Sequence, residues 1–174
     1  PRELMATIHA KATQLKRTIV LPDATDERAI QAARILADKS IVSPILIGNQ
    51  QAIEEQAKKL NVSLSGIRVI DPTKSEKLSD FSHIFFNLRK EKGIKFEEAQ
   101  KAMTNPLFFG AMMVREAMAD GSVAGSLSTT GDVLRAGIQV IGLAQGITIV
   151  SSFFLMVFPH QVFSFADCAV VPDP

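Results

Sequence analysis

The stretch at residues 120–139, DGSVAGSLSTTGDVLRAGIQ, decides how the rest of the chain is interpreted. Its apolar beginning at 122–126 predicts a short strand, and the small hydroxyl residues that follow predict a turn. Thr129 has the side chain of a helix N-cap, and Asp132 stands three residues later, as in a capping box. The sequence therefore predicts a strand, a turn and a helix that begins near Gly131.

The start of this predicted helix has the chemistry of an anion site. The first backbone N–H groups of a helix lack partners within the helix and carry a partial positive charge. The hydroxyl groups of Ser128, Thr129 and Thr130 surround these N–H groups, and Arg135 adds a planar guanidinium within two turns. Two structural interpretations stay open beside this one: the hydroxyl residues only cap the helix, or Arg135 only pairs with Asp132.

The composition excludes several classes of protein. A length of 174 residues predicts one domain, or one domain and part of another, and 47% apolar residues are ample for a core. A net charge of +1 gives no general attraction to nucleic acid or membrane, and without Trp or Tyr the chain is a poor base-stacking protein. No nucleic-acid partner and no membrane partner are therefore expected.

Cysteine and histidine are too sparse for a metal centre. Cys168 is the single cysteine, so neither an intrachain disulfide nor a cysteine metal cluster is expected, and the three histidines lack ligand spacing. The chain begins without the apolar stretch of a secretory signal, and the apolar run at 147–158 is too short to span a bilayer. These patterns predict a cytoplasmic protein without a metal.

Strands and helices alternate in the first part of the chain. Apolar runs predict strands at 18–21, 45–47 and 66–70, and Thr25 and Asn49 are the expected N-caps of the helices between them. Short connections and strands that are apolar throughout are typical of a parallel sheet. The predicted fold class is therefore α/β, with a mostly parallel sheet and helices on both faces.

The pattern changes near residue 146. Helices are predicted over 75–90, 96–103 and 107–118, whereas 147–158 and 162–171 read as two strands joined by a turn, which predicts an antiparallel hairpin. We therefore expect a first α/β domain at 1–145 and the start of a second domain at 146–174. The sequence stops directly after a core-like strand whose edge would be unpaired, so the second domain is expected to be truncated.

Eight segments, in the same order along nearly the whole chain, resemble the phosphate acetyltransferase (phosphotransacetylase) family, which belongs with the phosphate butyryltransferases. They are IVLPDATDERAIQAA (19–33), VSPILIGN (42–49), IDPTKSEK (70–77), FFNLRKEKGI (85–94), FFGAMMV (108–114), DGSVAGSLSTTGDVLRAGIQVI (120–141), SSFFLM (151–156) and FADCAVVPDP (165–174).

The resemblance implies an acyltransferase. Members of this family move an acetyl group between coenzyme A and inorganic phosphate, so that acetyl-CoA and phosphate give acetyl phosphate and coenzyme A. They have two α/β domains with a cleft between them, in a fold like that of isocitrate and isopropylmalate dehydrogenases. The resemblance further implies a cytoplasmic homodimer of acetate metabolism that uses no prosthetic group or catalytic metal.

The resemblance also assigns site residues. Arg89 and Arg135 match family arginines that bind coenzyme A or phosphate, and Ser128-Thr129-Thr130 matches the family's His-Ser-Thr turn beside the active site. The family's catalytic aspartate, with a serine and an arginine near it, lies in the C-terminal half. No residue of these 174 is therefore assigned as the catalytic base.

Several alternatives stay open. The family often has His where this chain has Ser128 and Pro where it has Ala136, so the acyl group could be butyryl instead of acetyl. A non-catalytic acetyl-CoA-sensing module has a similar domain, although this chain keeps both arginines, which favours an enzyme. A dehydrogenase is disfavoured because no glycine-rich fingerprint follows the first strand. Arg89, one turn after Phe85 on an apolar stripe, could present its head group to a cleft or only form an ion pair.

Overall fold

The computed structural model describes residues 2–168 and residue 170. The seven helices of this part of the chain are α1 (Arg2–Leu15), α2 (Glu27–Asp38), α3 (Gln50–Lys59), α4 (Leu78–Arg89), α5 (Phe96–Met103), α6 (Pro106–Arg115) and α7 (Thr130–Ala136), the last continuing into a π-helical turn at Gly137–Ile141. The strands are β1 (Thr18–Leu21), β2 (Ser43–Ile47), β3 (Arg68–Ile70), β4 (Gly121–Ser122), β5 (Phe153–Val157) and β6 (Val162–Ala166).

The first four strands form one parallel sheet in the order β3-β2-β1-β4. Val20 lies opposite Ile45 on one side of β1 and opposite Ser122 on the other. The chain therefore runs outward from β1 to β3 and then returns to place β4 on the far side of β1. This reversal is a topological switch point, and ligands of open parallel sheets bind outside the carboxyl ends of the strands at such a point.

Helices cover both faces of the sheet, as the sequence predicts. On one face, Leu46 of β2 packs with Ile30 of α2 and Ile53 of α3, and all three are 0% exposed. On the other face, Val20 and Ile45 share a larger core with α4, α5 and α6. The large side chains of that core are Phe81, Phe85, Met103, Phe109, Met112 and Met113.

Helix α6 lies directly against the sheet because it carries a glycine at the contact. A Cβ on Gly110 would come within 3.2 Å of Pro22 Cγ and 3.3 Å of Val20 Cγ2. The start of α6 is capped by Asn105, whose side chain accepts from Leu107 N at 2.9 Å, and Pro106 follows in the first turn. The close approach of α6 therefore brings its N-terminus beside the residues that follow β1.

The helix caps are mostly those that the sequence predicts, with one correction. Asn49 caps α3 by accepting from Ala52 N at 2.9 Å. Helix α2 is capped by Asp26, which accepts from Arg28 N at 2.9 Å, so the prediction of Thr25 is wrong by one residue. Asp26 is the cap instead of Thr25 because its buried carboxylate also binds the side chain of Arg28.

Several boundaries differ from the predicted ones. The strand expected at 66–70 begins at Arg68, the helix expected at 75–90 spans Leu78–Arg89, and the helix expected at 107–118 ends at Arg115. Ala117, with a φ of 55°, adopts a left-handed conformation that cannot continue a helix. The strand expected at 122–126 is only two residues long, because the chain leaves the sheet to form the loop described below.

Strands β5 and β6 form a separate antiparallel hairpin, in the register Phe153–Ala166 to Val157–Val162. The predicted strand at 147–158 is too long, since only its second half finds a pairing partner. Residues 169 and 171 of the predicted strand at 162–171 lie outside the described residues. Large apolar side chains of the hairpin are exposed, with Phe153 at 69% and Phe154 at 57%. The boundary at 145/146 stays a prediction.

Candidate active site at the switch point

A cleft of about 400 Å³ opens where the loops after β1 and β4 separate. Its walls are the β1–α2 loop, the β4–α7 loop, the first turn of α6 and one side of α7. The lining residues are Pro22, Asp23, Thr25, Asn105, Pro106, Leu107, Phe108, Leu127, Ser128, Asp132 and Arg135. The cleft thus lies at the carboxyl edge of the sheet, between the two strands where the strand order reverses.

Asp23 holds the two loops together from the bottom of this cleft. Its Oδ2 accepts from the backbone N–H groups of Gly125 at 2.7 Å, Ser126 at 3.0 Å, Leu127 at 3.3 Å and Ser128 at 3.4 Å. Its Oδ1 accepts from the Ser128 hydroxyl. Asp23 is only 8% exposed, so these bonds replace the water that the carboxylate loses.

The environment of Asp23 keeps its carboxyl group ionised. Burial raises the pKa of Asp23, but hydrogen bonds from the Ser128 side chain and from the backbone of Gly125, Leu127 and Ser128 lower it by more. The pKa therefore lies below the ordinary value of 3.8. At neutral pH the group is an acceptor of hydrogen bonds and has no proton to give.

A second contact joins the same two loops. The Arg28 guanidinium donates to Asp26 Oδ2 at 2.6 Å and to the Ser126 carbonyl at 2.8 Å. The bond from the Arg28 side chain is the main reason that the pKa of Asp26 lies well below its ordinary value. Asp26, at 6% exposed, is nearly buried, so the loop is fixed both at its N–H groups and at a carbonyl.

Helix α7 begins as the sequence predicts, with Thr129 as its N-cap. Thr129 Oγ1 accepts from Asp132 N at 3.2 Å and donates to Asp132 Oδ2 at 2.7 Å. Asp132 also accepts from Arg135 at 2.8 Å, in an exposed ion pair of i,i+3 spacing. The Thr129 hydroxyl and, to a smaller extent, the Arg135 charge lower the pKa of Asp132. Both structural interpretations of this stretch, the cap and the ion pair, are present.

Two backbone N–H groups at the start of α7 are left without an acceptor in the described part of the chain. Asp132 N and Val133 N both bond the Thr129 carbonyl, each at 3.1 Å, and Asp132 N also bonds the Thr129 hydroxyl. The N–H groups of Thr130 and Gly131 precede them in the first turn. An anion at this turn would therefore have to bind the first N–H groups of α7, because Asp23 already occupies the N–H groups of the loop.

The predicted site residues fall into three groups. Ser128 and Arg135 both line the cleft. Thr129 and Thr130 are exposed at the start of α7 next to it. Arg89 is the half-buried last residue of α4 and is not among the residues that line the cleft.

Arg89 lies one turn after Phe85, a residue that contacts the lining of the cleft. Phe85, one turn before Arg89, packs edge-on against Phe108 with ring centroids 5.7 Å apart, and Phe108 lines the cleft. Residues four apart lie on the same side of a helix, so Arg89 continues the side of α4 that carries this contact. The prediction that Arg89 binds a ligand stays a prediction.

Sequence reasoning missed Asp23. Its position directly after the first strand was the available signal, since polar side chains at the carboxyl ends of parallel strands often serve binding sites. Its partners, however, are 102–105 residues away, and no local pattern pairs them.

Neither a membrane-spanning helix nor a metal cluster is found in the described chain. None of its helices is long and apolar enough to cross a bilayer. Nowhere in residues 2–168 and 170 do three His, Cys, Asp or Glu side chains come together as ligands for a metal ion.

Residues 3–174 match the family model of the phosphate acetyl/butaryl transferases. The chain is 41% identical over 98% of its length to a phosphate acetyltransferase of Thermoanaerobacterium thermosaccharolyticum, and covers 53% of that protein. It is 40% identical over 91% of its length to a phosphate acetyltransferase of Acetivibrio thermocellus, of which it covers 49%. The chain thus spans about half the length of these relatives.

Solved structures show the same likeness. The EutD phosphotransacetylase from Staphylococcus aureus aligns with 99% of this chain at a TM-score of 0.90 and 33% identity, and 52% of that chain is covered. A phosphotransacetylase from Streptococcus pyogenes aligns with a TM-score of 0.90 and 29% identity, over 99% of this chain and 53% of its own. Sequence and fold agree, and the chain belongs to the phosphate acetyl/butaryl transferase family.

Proposed function

We propose that the full-length protein transfers an acetyl group between coenzyme A and inorganic phosphate. The names of its relatives support this proposal, because both the similar proteins and the similar structures are phosphate acetyltransferases or phosphotransacetylases. The observation on this chain that carries it is the switch-point cleft. Arg135 lines this cleft and α7 forms one of its sides, and a guanidinium and the first N–H groups of a helix are both groups that bind anions.

The proposed reaction exchanges one bond to the acetyl carbonyl carbon for another. In the direction of acetyl-CoA synthesis, the thiol sulfur of coenzyme A bonds to the carbonyl carbon of acetyl phosphate while the carbon–oxygen bond to phosphate breaks. The thiol proton passes to a base, and phosphate leaves with the bonding electron pair. Negative charge grows on the carbonyl oxygen and on the leaving phosphate, and positioned donors stabilise such charge.

Arg135 and the start of α7 are the proposed binding groups for that phosphate. A guanidinium has five N–H donors, and the structure uses one NH1 contact, to Asp132 at 2.8 Å. Phosphate oxygens would accept from the remaining donors and from the N–H groups of Thr130 and Gly131. Ser128 lines the wall of the cleft, but its hydroxyl proton is directed to Asp23, so this hydroxyl does not donate to the phosphate.

The ion pair with Asp132 does not prevent Arg135 from taking this role. Both side chains are exposed, at 59% for Arg135 and 46% for Asp132, and an exposed pair contributes about 0–1 kcal/mol. A charge-assisted hydrogen bond to phosphate contributes about 1.5–3 kcal/mol. The guanidinium can therefore turn toward a phosphate dianion at a small cost, or bind it while keeping its contact with Asp132.

Other parts of the machinery are proposed from the family resemblance. Arg89 would bind phosphate or a phosphate group of coenzyme A. The base that takes the thiol proton would be an aspartate of the C-terminal half, in a cleft between two α/β domains like those of isocitrate and isopropylmalate dehydrogenases. The reaction as written needs no prosthetic group and no metal.

We further propose a cytoplasmic homodimer. The family resemblance is the support for a dimer. Light scattering on the full-length protein should give twice the mass of one chain. A monomer at micromolar concentration would contradict the dimer and leave the catalytic proposal intact.

A thiol-release assay tests the proposed activity. The full-length protein is incubated with phosphate and either acetyl-CoA or butyryl-CoA, and free coenzyme A is followed with a thiol reagent. Faster release from acetyl-CoA, and none without phosphate, is the expected result. Faster release from butyryl-CoA would reassign the protein as a butyryltransferase, and binding of acetyl-CoA without release would identify a sensing module.

A further inference from the structure

We propose that Asp23 is a positioning residue of the acyl-transfer site, because its carboxylate sets the conformation of the loop at 125–128 and, through it, the position of α7 and Arg135. This inference deepens the proposed function and rests on it. It concerns a residue whose carboxylate contacts the N–H groups of the loop.

The loop is shaped around the carboxylate. Four consecutive N–H groups, from Gly125 to Ser128, converge on the single oxygen Oδ2, at distances between 2.7 and 3.4 Å. Such a concave row of N–H groups is normally a site for an external anion. Here the chain supplies the anion itself, so the loop keeps this shape whether or not substrate is bound.

Asp23 is in turn fixed to the rigid part of the molecule. It follows β1 by two residues, and its carbonyl accepts from Asp26 N at 3.0 Å. The preceding residue, Pro22, packs against α6 at Gly110, where the helix lies directly against the sheet. The Asp23 carboxylate therefore holds the loop at a fixed position relative to the sheet at the switch point.

A continuous series of contacts connects this loop to the guanidinium. Ser128, held by Asp23, directly precedes the cap Thr129. The Thr129 hydroxyl contacts Asp132 at 2.7 Å, and Asp132 contacts Arg135 at 2.8 Å. Displacement of Ser128 would move the cap and, with it, the first turn of α7 that faces the phosphate.

The same geometry excludes Asp23 as the catalytic base. Both of its oxygens are occupied by donors, and it lies at 8% exposure. The hydrogen bonds hold its pKa below the ordinary value, which makes it a poor acceptor of a thiol proton at neutral pH. What remains for this residue is the positioning of others.

Asp23→Asn is the direct test. The amide has the same shape but no charge. If its NH₂ group faces the four N–H groups, donors meet donors, and if it faces Ser128, the Ser128 hydroxyl must turn its proton away and accept instead, so that the four N–H groups keep only a neutral oxygen. We expect the KM for phosphate in the thiol-release assay of the full-length protein to rise by ~10-fold or more, as for loss of one charge-assisted contact. The KM for acetyl-CoA should change less than about 2-fold, and Asp23→Glu, which keeps the charge, should restore part of the phosphate KM.

Asp71→Asn is the matched control. Asp71 is 6% exposed, also follows a strand of the sheet, and accepts from Thr73 N at 3.0 Å and Gln50 N at 3.3 Å. A purely structural loss should affect both variants alike. An Asp23→Asn variant that raises both KM values equally, or no more than Asp71→Asn, would overturn the proposal.

If Asp23→Asn does not fold, Ser128→Ala is a second test of the proposal. It removes only the hydroxyl contact with Asp23, and we expect a rise of about 2- to 5-fold in the KM for phosphate. An unchanged phosphate KM in Ser128→Ala would also contradict the proposal. Absence of thiol release by the wild-type protein would instead disprove the proposed function, so the two failures are distinguishable.

Discussion

Two aspartates follow parallel strands at the same edge of the sheet, and they do different work. Asp23 follows β1 and Asp71 follows β3, both are nearly buried, and each accepts from backbone N–H groups. For both, burial raises the pKa and hydrogen bonds lower it by more. The donors to Asp71 lie 2 and 21 residues away, whereas those to Asp23 lie 102–105 residues away.

Topology, more than local chemistry, therefore decides what each buried carboxylate does. At the end of β3 the aspartate caps a 3-10 turn at Pro72–Lys74 and supports the start of α3. At the end of β1 the same chemistry bridges two loops that separate at the switch point. We therefore expect variants at the two places to be similar in stability and different in activity.

The largest expected difference is between the cations at the two places. Arg135 lines the switch-point cleft, and Lys77 lines a depression of about 330 Å³ beside Asp71. Each forms an exposed ion pair of i,i+3 spacing, Arg135 with Asp132 and Lys77 with Asp80. Arg135→Ala should lower kcat/KM for acetyl phosphate by about 10- to 100-fold, the cost of ~1.5–3 kcal/mol in transition-state binding.

Lys77→Ala is the control for the loss of a surface charge and an ion pair. It should change kcat/KM for acetyl phosphate by less than about 2-fold, because an exposed pair contributes little. Equal losses in the two variants would mean that the overall field of the protein, and not a site at Arg135, attracts the substrate. Wild-type kcat/KM in Arg135→Ala would show that the assigned role is wrong.

The two aspartates should behave alike in acid. Because the folded pKa of each lies below 3.8, the unfolded state binds more protons in this range. The stability that they contribute is present above the unfolded pKa and is lost as pH falls through the folded pKa. Thermal unfolding between about pH 3 and pH 7 should therefore show a steep fall in Tm below about pH 5.

Asp23→Asn and Asp71→Asn should each begin with a lower Tm at pH 7 and lose less of it in acid. The Tm of neither variant should be independent of pH, because Asp26, Asp120 and Asp132 also have lowered pKa values. An unchanged acid slope in either variant would mean that its carboxylate is not held by these hydrogen bonds in solution.

The smallest difference is expected between two helix caps. Thr129→Ala and Asn49→Ala each remove a cap that accepts from a first-turn N–H, at 3.2 Å from Asp132 and 2.9 Å from Ala52. Each should lower the free energy of unfolding by about 1 kcal/mol, measured by urea denaturation. Only Thr129→Ala should also raise the KM for phosphate, by about 2- to 3-fold, since only α7 faces the cleft. A matching rise in Asn49→Ala would remove the distinction between the two places.

The parts of the fold that depend on neighbouring residues were predictable. The caps at Asn49 and Thr129 and the pair of Asp132 with Arg135 each join residues within four positions, and the sequence predicts all three. Alternating apolar runs were sufficient for the parallel sheet and its two covered faces. The prediction of Thr25 is wrong because Asp26 also binds the Arg28 side chain. Residue spacing alone does not show which of the two residues is the better cap.

The parts that depend on distant pairing were not predictable. The sequence does not say that β4 returns beside β1, and this return alone brings Ser128 to Asp23. The predicted strand at 147–158 is too long because the apolar run begins before residue 153, the first residue of the strand that pairs. Of the predicted site, Ser128 and Arg135 meet in one cleft, whereas the ligand role of Arg89 rests on resemblance.

A crystal structure of the full-length protein with acetyl phosphate would show directly where the phosphoryl group binds. We predict that the phosphoryl oxygens lie within hydrogen-bonding distance of the Arg135 guanidinium and of the N–H groups of Thr130 and Gly131. The Asp23 contacts to Gly125–Ser128 should be unchanged. A phosphoryl group bound elsewhere, with the switch-point cleft containing only solvent, would show that Arg135 and α7 do not form the phosphate site.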